Sequence, residues 1–251
     1  MNLFELAEKF SQIDYDGFYE KIRIAIQNFT KFAETFPLII EGVQRLPERV
    51  QEASKQWAIY GWAPSLPGDT GADLLNAIHV PESQECADEI MLSKLDGENL
   101  QFLFDKIQEK VETHHQNTIT YNDAVCCFRN EIYTGCALSL FALIDSCFVM
   151  GQPKAPGKKQ RDLARKASER AIDNEKAKFF VAAYAVKIII EDLFEVGNDF
   201  NTTKEQGLKR SFVSHGMNHY NPTRTDCSKL FVLLYNIYLM FDSGLYHWEY
   251  E

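Results

Sequence analysis

Apolar residues recur at spacings of three and four along most of the chain, which is the period of an amphipathic α-helix. This pattern predicts helices over residues 2–13 and 16–35. Acidic amphipathic helices are predicted next, over 73–78, 83–95 and 98–114. No stretch alternates apolar and polar residues over five positions, so no strand is predicted. The fold class predicted for the chain is therefore all-α.

The second half of the chain carries the most apolar helices. One strong helix is predicted over 121–150, with Cys126 and Cys127 on its apolar face as core residues. A linker rich in proline and glycine follows, and it opens a basic stretch over 154–170. From there a long helix is predicted to reach about Phe194.

Helix boundaries are clearest near the C-terminus. A short helix is predicted over 204–215, and Gly216 lies where a C-terminal cap belongs. The Thr223-x-x-Asp226 pattern resembles a capping box, with Asp in place of the usual Glu or Gln. The last helix, rich in Leu, Phe and Tyr, is predicted over 226–241.

A loop without helical period is predicted over 61–70, because it contains two prolines among its glycines and polar residues. The aromatic residues beside this loop are expected to pack in the core and not to stack on nucleic-acid bases; they are Trp57, Tyr60 and Trp62. The acidic first part of the chain favours a division into an N-terminal helical region, 1–95, and a helical bundle, 96–251.

Charge is distributed unevenly along the 251 residues, whose net charge is −10. An acidic chain is not expected to coat nucleic acid by charge alone. Residues 1–100 hold 8 Lys and Arg against 17 Asp and Glu, whereas residues 151–230 hold 15 against 10. A site for a polyanion is therefore expected in the C-terminal half.

Other features of the sequence limit the location and the cofactors. No apolar run approaches the roughly 18 residues that span a bilayer, and the N-terminus lacks the pattern of a secretory signal. The six cysteines have neither a metal-binding nor a disulfide spacing. The expectation is a cytoplasmic protein with reduced thiols, no membrane association, no metal and no cofactor.

Arg210 and His215 form the one pair whose chemistry suits a specific reaction. Histidine titrates near neutral pH and serves as general acid or base, while arginine presents a fork of donors that matches phosphate oxygens. Residues five apart on a helix lie roughly 140° apart, so both face one groove only if His215 is at the helix end. The structural alternative is that His215 caps the helix and Arg210 pairs with Glu205 or Asp226.

The segment from 208 to 240 resembles the HEPN superfamily, whose hallmark is Arg, four to six residues, then His, commonly followed by Gly. The helix over 121–150 also resembles an early helix of such bundles, with Asp145 in the place of their acidic residue near the helix end. The resemblance covers about residues 98–245 and implies a helical bundle of HEPN type. Many members carry Asn, Asp or His directly after the Arg, whereas this chain has Ser211.

The resemblance implies a metal-independent endoribonuclease that acts as a toxin or in anti-phage defence. Its catalytic residues would be Arg210 and His215, and a homodimer would form a composite active site. Support candidates are Ser214, Asn218, Tyr220 and Asp145. The basic residues expected to bind RNA are Lys158, Lys159, Arg161, Arg165, Lys209 and Arg224.

Two alternatives stay open at this point. The first is a catalytically inactive HEPN-like interaction module, which acts as an antitoxin or as a nucleotide- or protein-binding partner. For either function, an antitoxin or effector protein is an expected partner. The acidic composition and Ser211 favour it. The second is an unrelated helical scaffold in which Arg210 and His215 only stabilise a helix end.

Overall fold

The computed structural model describes residues 46–69, 73, 76–150, 181–194, 208–214, 216 and 220–242, with the backbone alone at 46, 47, 149, 150, 211 and 212. Within these ranges the chain is all-helical and has no strand, as predicted. In chain order the helices are α1 (Leu46–Ile59), α2 (Gln84–Lys94), α3 (Glu98–Thr113), α4 (Thr118–Arg129), α5 (Tyr133–Met150), α6 (Val181–Leu193), α7 (Arg210–Ser214) and α8 (Arg224–Asp242). The helices predicted over 2–13 and 16–35 lie outside the described residues. None of the helices just named combines the length and the apolar character that crossing a bilayer requires.

Helix α8 lies at the centre of the apolar core that the described helices form. Every residue from Cys227 to Phe241 is buried except Lys229, which is half-buried. Helices α2, α3, α5 and α6 all pack against α8, so it has no face that is wholly in water. The predicted last helix is confirmed, and it extends slightly beyond the predicted range at both ends.

The N-terminus of α8 is closed by the predicted capping box. The Thr223 backbone N–H donates to Asp226 Oδ2 at 2.8 Å, and the Asp226 N–H donates back to Thr223 Oγ1 at 3.2 Å. The Thr223 hydroxyl donates to the same carboxylate oxygen at 2.7 Å. Aspartate therefore performs here the reciprocal role that Glu or Gln usually has, with its negative charge at the positive end of the helix.

The loop that follows α1 is fixed to α8 by one buried side chain. Asn236 is fully buried, and its Nδ2 donates to the carbonyls of Ala63 at 3.1 Å and Ser65 at 2.9 Å. Trp57 and Trp62 next to this loop are buried, which confirms that they are core residues. A loop with these anchors is held in one position relative to the central helix.

Helices α1 and α6 pack on each other beside this core. Ser54 in α1 is buried, and its Oγ lies 2.8 Å from the carbonyl oxygen of Val181 in α6. Residues from both sides of the predicted division at residue 95 thus contribute to one apolar cluster. The division also concerns residues 1–45, which lie outside the described ranges, and it stays a prediction.

The single helix predicted over 121–150 is wrong, because the chain leaves the helix between α4 and α5. Glu131 has φ of 60°, its N–H donates to the Phe128 carbonyl at 3.2 Å, and the Ile132 N–H donates to the Cys127 carbonyl at 2.8 Å. This is a Schellman motif, which ordinarily has glycine at the left-handed position. The Asn130 side chain adds a bond to the Cys126 carbonyl at 2.8 Å. The break carries neither Gly nor Pro, so the sequence pattern did not reveal it.

The same break corrects the expected burial of two cysteines. Cys126 is exposed and Cys127 is half-buried, so neither is the buried core residue that was predicted. Ile132, another apolar residue within the predicted helix, is 56% exposed. Cys126 and Cys127 lie in the last turn of α4, where Phe128 is the buried residue, and Ile132 lies in the turn after it.

The C-terminus of α8 is tied to α3 by charged groups. Lys110 Nζ lies 2.6 Å from Asp242 Oδ2, and His114 Nε2 lies 3.4 Å from Oδ1. Burial acts to raise the pKa of the Asp242 carboxyl, but hydrogen bonds from His114 and Lys110 outweigh it and hold the pKa below its usual value. The ionised carboxylate is therefore the form that the folded state favours.

We expect Asn236→Leu to lower the free energy of unfolding by about 3 kcal/mol, because two carbonyls of the loop lose their donor at a fully buried position. The measurement is urea unfolding of both proteins. Asn122→Ala, an exposed position of α4, is the control and should change stability by less than about 0.5 kcal/mol. Equal effects of the two changes would contradict the anchoring role of Asn236.

We expect Asp242→Asn to destabilise the protein near pH 7 by at most about 1 kcal/mol, since the pair is partly solvated. The folded state lowers the pKa of this carboxyl, so its contribution is present above the unfolded value of about 3.9 and is lost as the pH falls below it. Thermal unfolding from pH 7 to pH 3 measures this. A difference from wild type that persists undiminished at pH 3 would disprove the pH linkage.

Candidate functional site

Arg210 is the first residue of α7, a helix of five residues that packs against α5. Its Nε lies 3.1 Å and its Nη2 lies 2.5 Å from Oδ2 of Asp145, which is in the last two turns of α5. Both nitrogens thus donate to a single carboxylate oxygen. Two residues named from the sequence as site candidates, 65 positions apart, are in direct contact.

The Asp145 carboxylate is deeply placed for a charged group. The residue is 8% exposed, and its Oδ1 is buried with no hydrogen-bond partner among the described residues. Burial raises the pKa of this carboxyl, and the Arg210 guanidinium only partly offsets that effect. A buried carboxylate of this kind depends on its cation, and the cation in turn is held in one orientation.

Lys209, the residue before α7, is also engaged. Its ammonium is bonded to the Asp192 carboxylate, and it lies 3.1 Å from the Asp192 carbonyl oxygen. Asp192 is in the last turn of α6, where a cation also interacts favourably with the helix dipole. Lys209, predicted to bind RNA, therefore joins the start of α7 to the end of α6.

Two further candidates lie at the start of α8. The Tyr220 hydroxyl donates to Asp226 Oδ2 at 2.7 Å, so this tyrosine belongs to the cap of the helix. Arg224 is exposed, and its guanidinium carbon lies 5.1 Å from the centre of the Phe128 ring on α4. An arginine on an aromatic face keeps its charge accessible while its stem is fixed.

The end of α7 follows the predicted pattern where it is described. Ser214, a support candidate, is exposed in the last position of the helix. Gly216 has φ of 64°, and its N–H donates to the Val213 carbonyl at 3.2 Å, as expected for a C-terminal cap. His215 lies outside the described residues. So do the other candidates Asn218, Lys158, Lys159, Arg161 and Arg165.

The structure thus brings Arg210 together with Asp145. Lys209 directly precedes Arg210 in sequence, while Tyr220 and Arg224 belong to the start of α8. Sequence reasoning did not identify Asp192 or Phe128 as partners of the basic residues. Neither lies in a motif, and only the packing of α6 and α4 brings them there. Among the described residues, no cluster of three or more His, Cys, Asp or Glu side chains is arranged to hold a metal ion.

Comparisons of the chain with protein-family models, with characterised proteins and with solved structures find no match.

We expect the Arg210–Asp145 pair to show a coupling energy of about 2 kcal/mol in a double-mutant cycle of Arg210→Ala and Asp145→Ala. The reason is that the Asp145 side chain is 11% exposed and cannot exchange its partner for water. Lys106 and Glu109, an exposed pair at 2.8 Å on α3, provide the matched control.

The control cycle should give less than about 1 kcal/mol. Both cycles are measured as unfolding free energies in urea at pH 7. If the two coupling energies are equal, the burial of Asp145 contributes nothing specific to holding Arg210.

Proposed function

We propose that this protein is a metal-independent endoribonuclease of HEPN type. The observation that carries the proposal is the contact of Arg210 with Asp145, which orients the guanidinium at the start of α7. The resemblance names these two residues, and α7, which begins at Arg210 and ends at Ser214, is followed by Gly216 with φ of 64°. The proposed location is the cytoplasm.

The reaction follows from the chemistry of the two motif residues. The 2′-oxygen of a ribose attacks the neighbouring phosphorus while His215 accepts the 2′-hydroxyl proton. The bond from phosphorus to the 5′-oxygen breaks, and that oxygen takes a proton from the second, protonated His215 of the proposed homodimer as it leaves. Arg210 donates to the phosphate oxygens on which negative charge builds up in the transition state. The products end in a 2′,3′-cyclic phosphate and a 5′-hydroxyl.

In this proposal Asp145 is a positioning residue, since it contacts Arg210 and not the RNA. A side chain as long as arginine loses much rotamer freedom when it binds a phosphate, and a carboxylate that already holds it reduces that cost. The Asp145 charge also offsets part of the positive charge of Arg210. A homodimer would bring a second Arg210 and His215 to the same cleft and restore the excess of positive charge.

Arg224 is the described basic residue best suited to contact RNA, because its charge is exposed at the surface. Lys209 is held by Asp192 and is better suited to fix α7 in place. The biological setting that we propose is a toxin or an anti-phage defence system, with an antitoxin or effector protein as a partner.

The same contact also favours a second candidate function. Arg210 is already paired with a buried carboxylate, as in a purely structural ion pair, and Ser211 stands where many members carry Asn, Asp or His. A catalytically inactive module that binds a nucleotide or a protein would keep this pair for the stability of α7. In that case His215→Ala would leave binding to the partner unchanged.

We expect purified protein to cleave total cellular RNA in the presence of a chelator, and His215→Ala to reduce the cleavage rate at least about 100-fold, as for loss of a general acid or base. Arg210→Ala should cause a loss of similar size. Asp145→Asn should have a smaller effect, about tenfold, because it removes the orientation of Arg210 and not its charge. Product ends are identified by their chemical reactivity.

His79→Ala is the matched control, since His79 is an exposed histidine, and it should retain wild-type activity. Folded protein that cleaves no RNA would contradict the proposal and favour the binding module. Cleavage that His215→Ala leaves unchanged would assign the activity to other residues or to a contaminant.

A further inference from the structure

A cleft of about 310 Å³ opens between the loop after α1 and the ends of α2 and α3. This volume is at the lower limit of the pockets that hold small molecules. Leu66 and Leu95 form part of an apolar wall, and Phe102 adds an aromatic ring that is 42% exposed. The charged groups of the lining are Asp69, Asp73 and Lys94. None of these residues belongs to the Arg210 site.

The wall formed by the loop is fixed before any ligand arrives. Asn236 holds the loop at Ala63 and Ser65, as described above. Trp62 is fully buried, and its Nε1 donates to Asp88 Oδ1 in α2 at 2.7 Å. The loop is thus bonded to α8 and to α2, so this wall of the cleft is largely preformed.

The Asp69 carboxylate is held in place within this wall. Its Oδ2 accepts the Leu66 N–H at 2.7 Å, and the Asp69 N–H donates to the Leu66 carbonyl at 3.1 Å. Burial raises the pKa of Asp69 to about 6; the Leu66 N–H and the Lys94 charge oppose that rise, and the Asp73 charge adds to it. Burial is thus the main cause of the raised pKa, and a cation bound beside Asp69 would act against it.

The aromatic side of the cleft is shaped by one glycine. Gly68 has φ of 84°, and a Cβ atom there would lie 3.4 Å from the Phe102 ring. The loop therefore runs close to this ring at a position where L side chains are strained. Phe102 lines the same cleft as the two carboxylates, and the Lys106 ammonium lies 5.6 Å from the centre of its ring. An aromatic face next to carboxylates suits a cation that carries an apolar body.

We propose that this cleft binds a small organic cation of the amine class, with its ammonium group beside Asp69 and Asp73 and its apolar part against Phe102. The charges of the lining favour a cation, because two carboxylates face one lysine. A calcium or magnesium ion is less suited, since these ions take six or more oxygen ligands. Within the described ranges no cluster of acids, histidines and cysteines of the required size is present. This inference does not rest on the proposed ribonuclease function.

Benzylamine and benzyl alcohol are titrated into the 251-residue chain at pH 7.5, and binding is measured by calorimetry and by NMR shifts. The two probes have nearly the same shape and differ in charge. We expect benzylamine to bind at least about tenfold more tightly than benzyl alcohol, which corresponds to roughly 1.4 kcal/mol. Equal affinities of the two probes would overturn the proposal.

Variants locate the binding. Asp69→Asn should weaken benzylamine at least about tenfold, whereas Lys94→Gln should strengthen it by removing the competing cation. Phe102→Leu should weaken it without affecting the Asp69 dependence. Asp123→Asn, an exposed carboxylate on α4, is the control of equal charge change and should have no effect. If Asp69→Asn and Asp123→Asn act alike, the binding is non-specific and the proposal fails.

The affinity for benzylamine should also decrease as the pH falls through about 6, because Asp69 then takes up a proton. The charged and titratable groups that interact with Asp69 are Asp73, Lys94 on α2 and Tyr235 on α8, and burial raises the pKa of Tyr235 further above that range. Guanosine and calcium chloride are titrated in parallel. Saturable binding of either one that displaces benzylamine would identify a nucleobase or metal site and overturn the proposal.

Discussion

The burial of α8 on every side is the constraint on which the rest of the structure depends. A helix surrounded by protein depends on internal partners for its polar side chains, because unpaired buried groups are costly. The Asn236 Nδ2 donates to the carbonyls of Ala63 and Ser65, while its Oδ1 is buried without a partner among the described residues. Tyr238 forms a hydrogen bond to Gln116 in the turn before α4. Each bond positions a surface segment from the centre of the fold.

Helix α5 connects these buried hydrogen bonds to the Arg210 site. The Gln116 amide donates to Cys147 Sγ at 3.1 Å, so the turn before α4 is bonded to both α8 and α5. Two residues earlier on α5, Asp145 holds Arg210. The short helix α7 would be marginal in isolation, since so few residues form little more than one turn. Its position depends on this contact and on its packing against α5.

Two carboxyls whose pKa values are raised have different surroundings in this fold. Asp145 is buried against a single arginine, whose charge partly offsets the effect of burial on the pKa of the carboxyl. Asp69 lies at an open cleft with Asp73 and Lys94, where a ligand can still change its charge balance. Burial is the largest cause of the raised pKa of both carboxyls. Only Asp69 lies at an open cleft, so of these two carboxyls it is the one that suits ligand binding.

Periodicity alone determined that the described chain is helical, and cap residues such as Gly216 and the Thr223–Asp226 box located helix ends, because these signals act between neighbours in sequence. The break at Glu131 was missed, since a non-glycine residue adopts the left-handed conformation there. Only the tertiary structure decided that Asp145 is the partner of Arg210. Likewise, the cleft at Asp69 depends on loop and helix ends that meet through packing. Such contacts join residues far apart in sequence, and no local pattern encodes them.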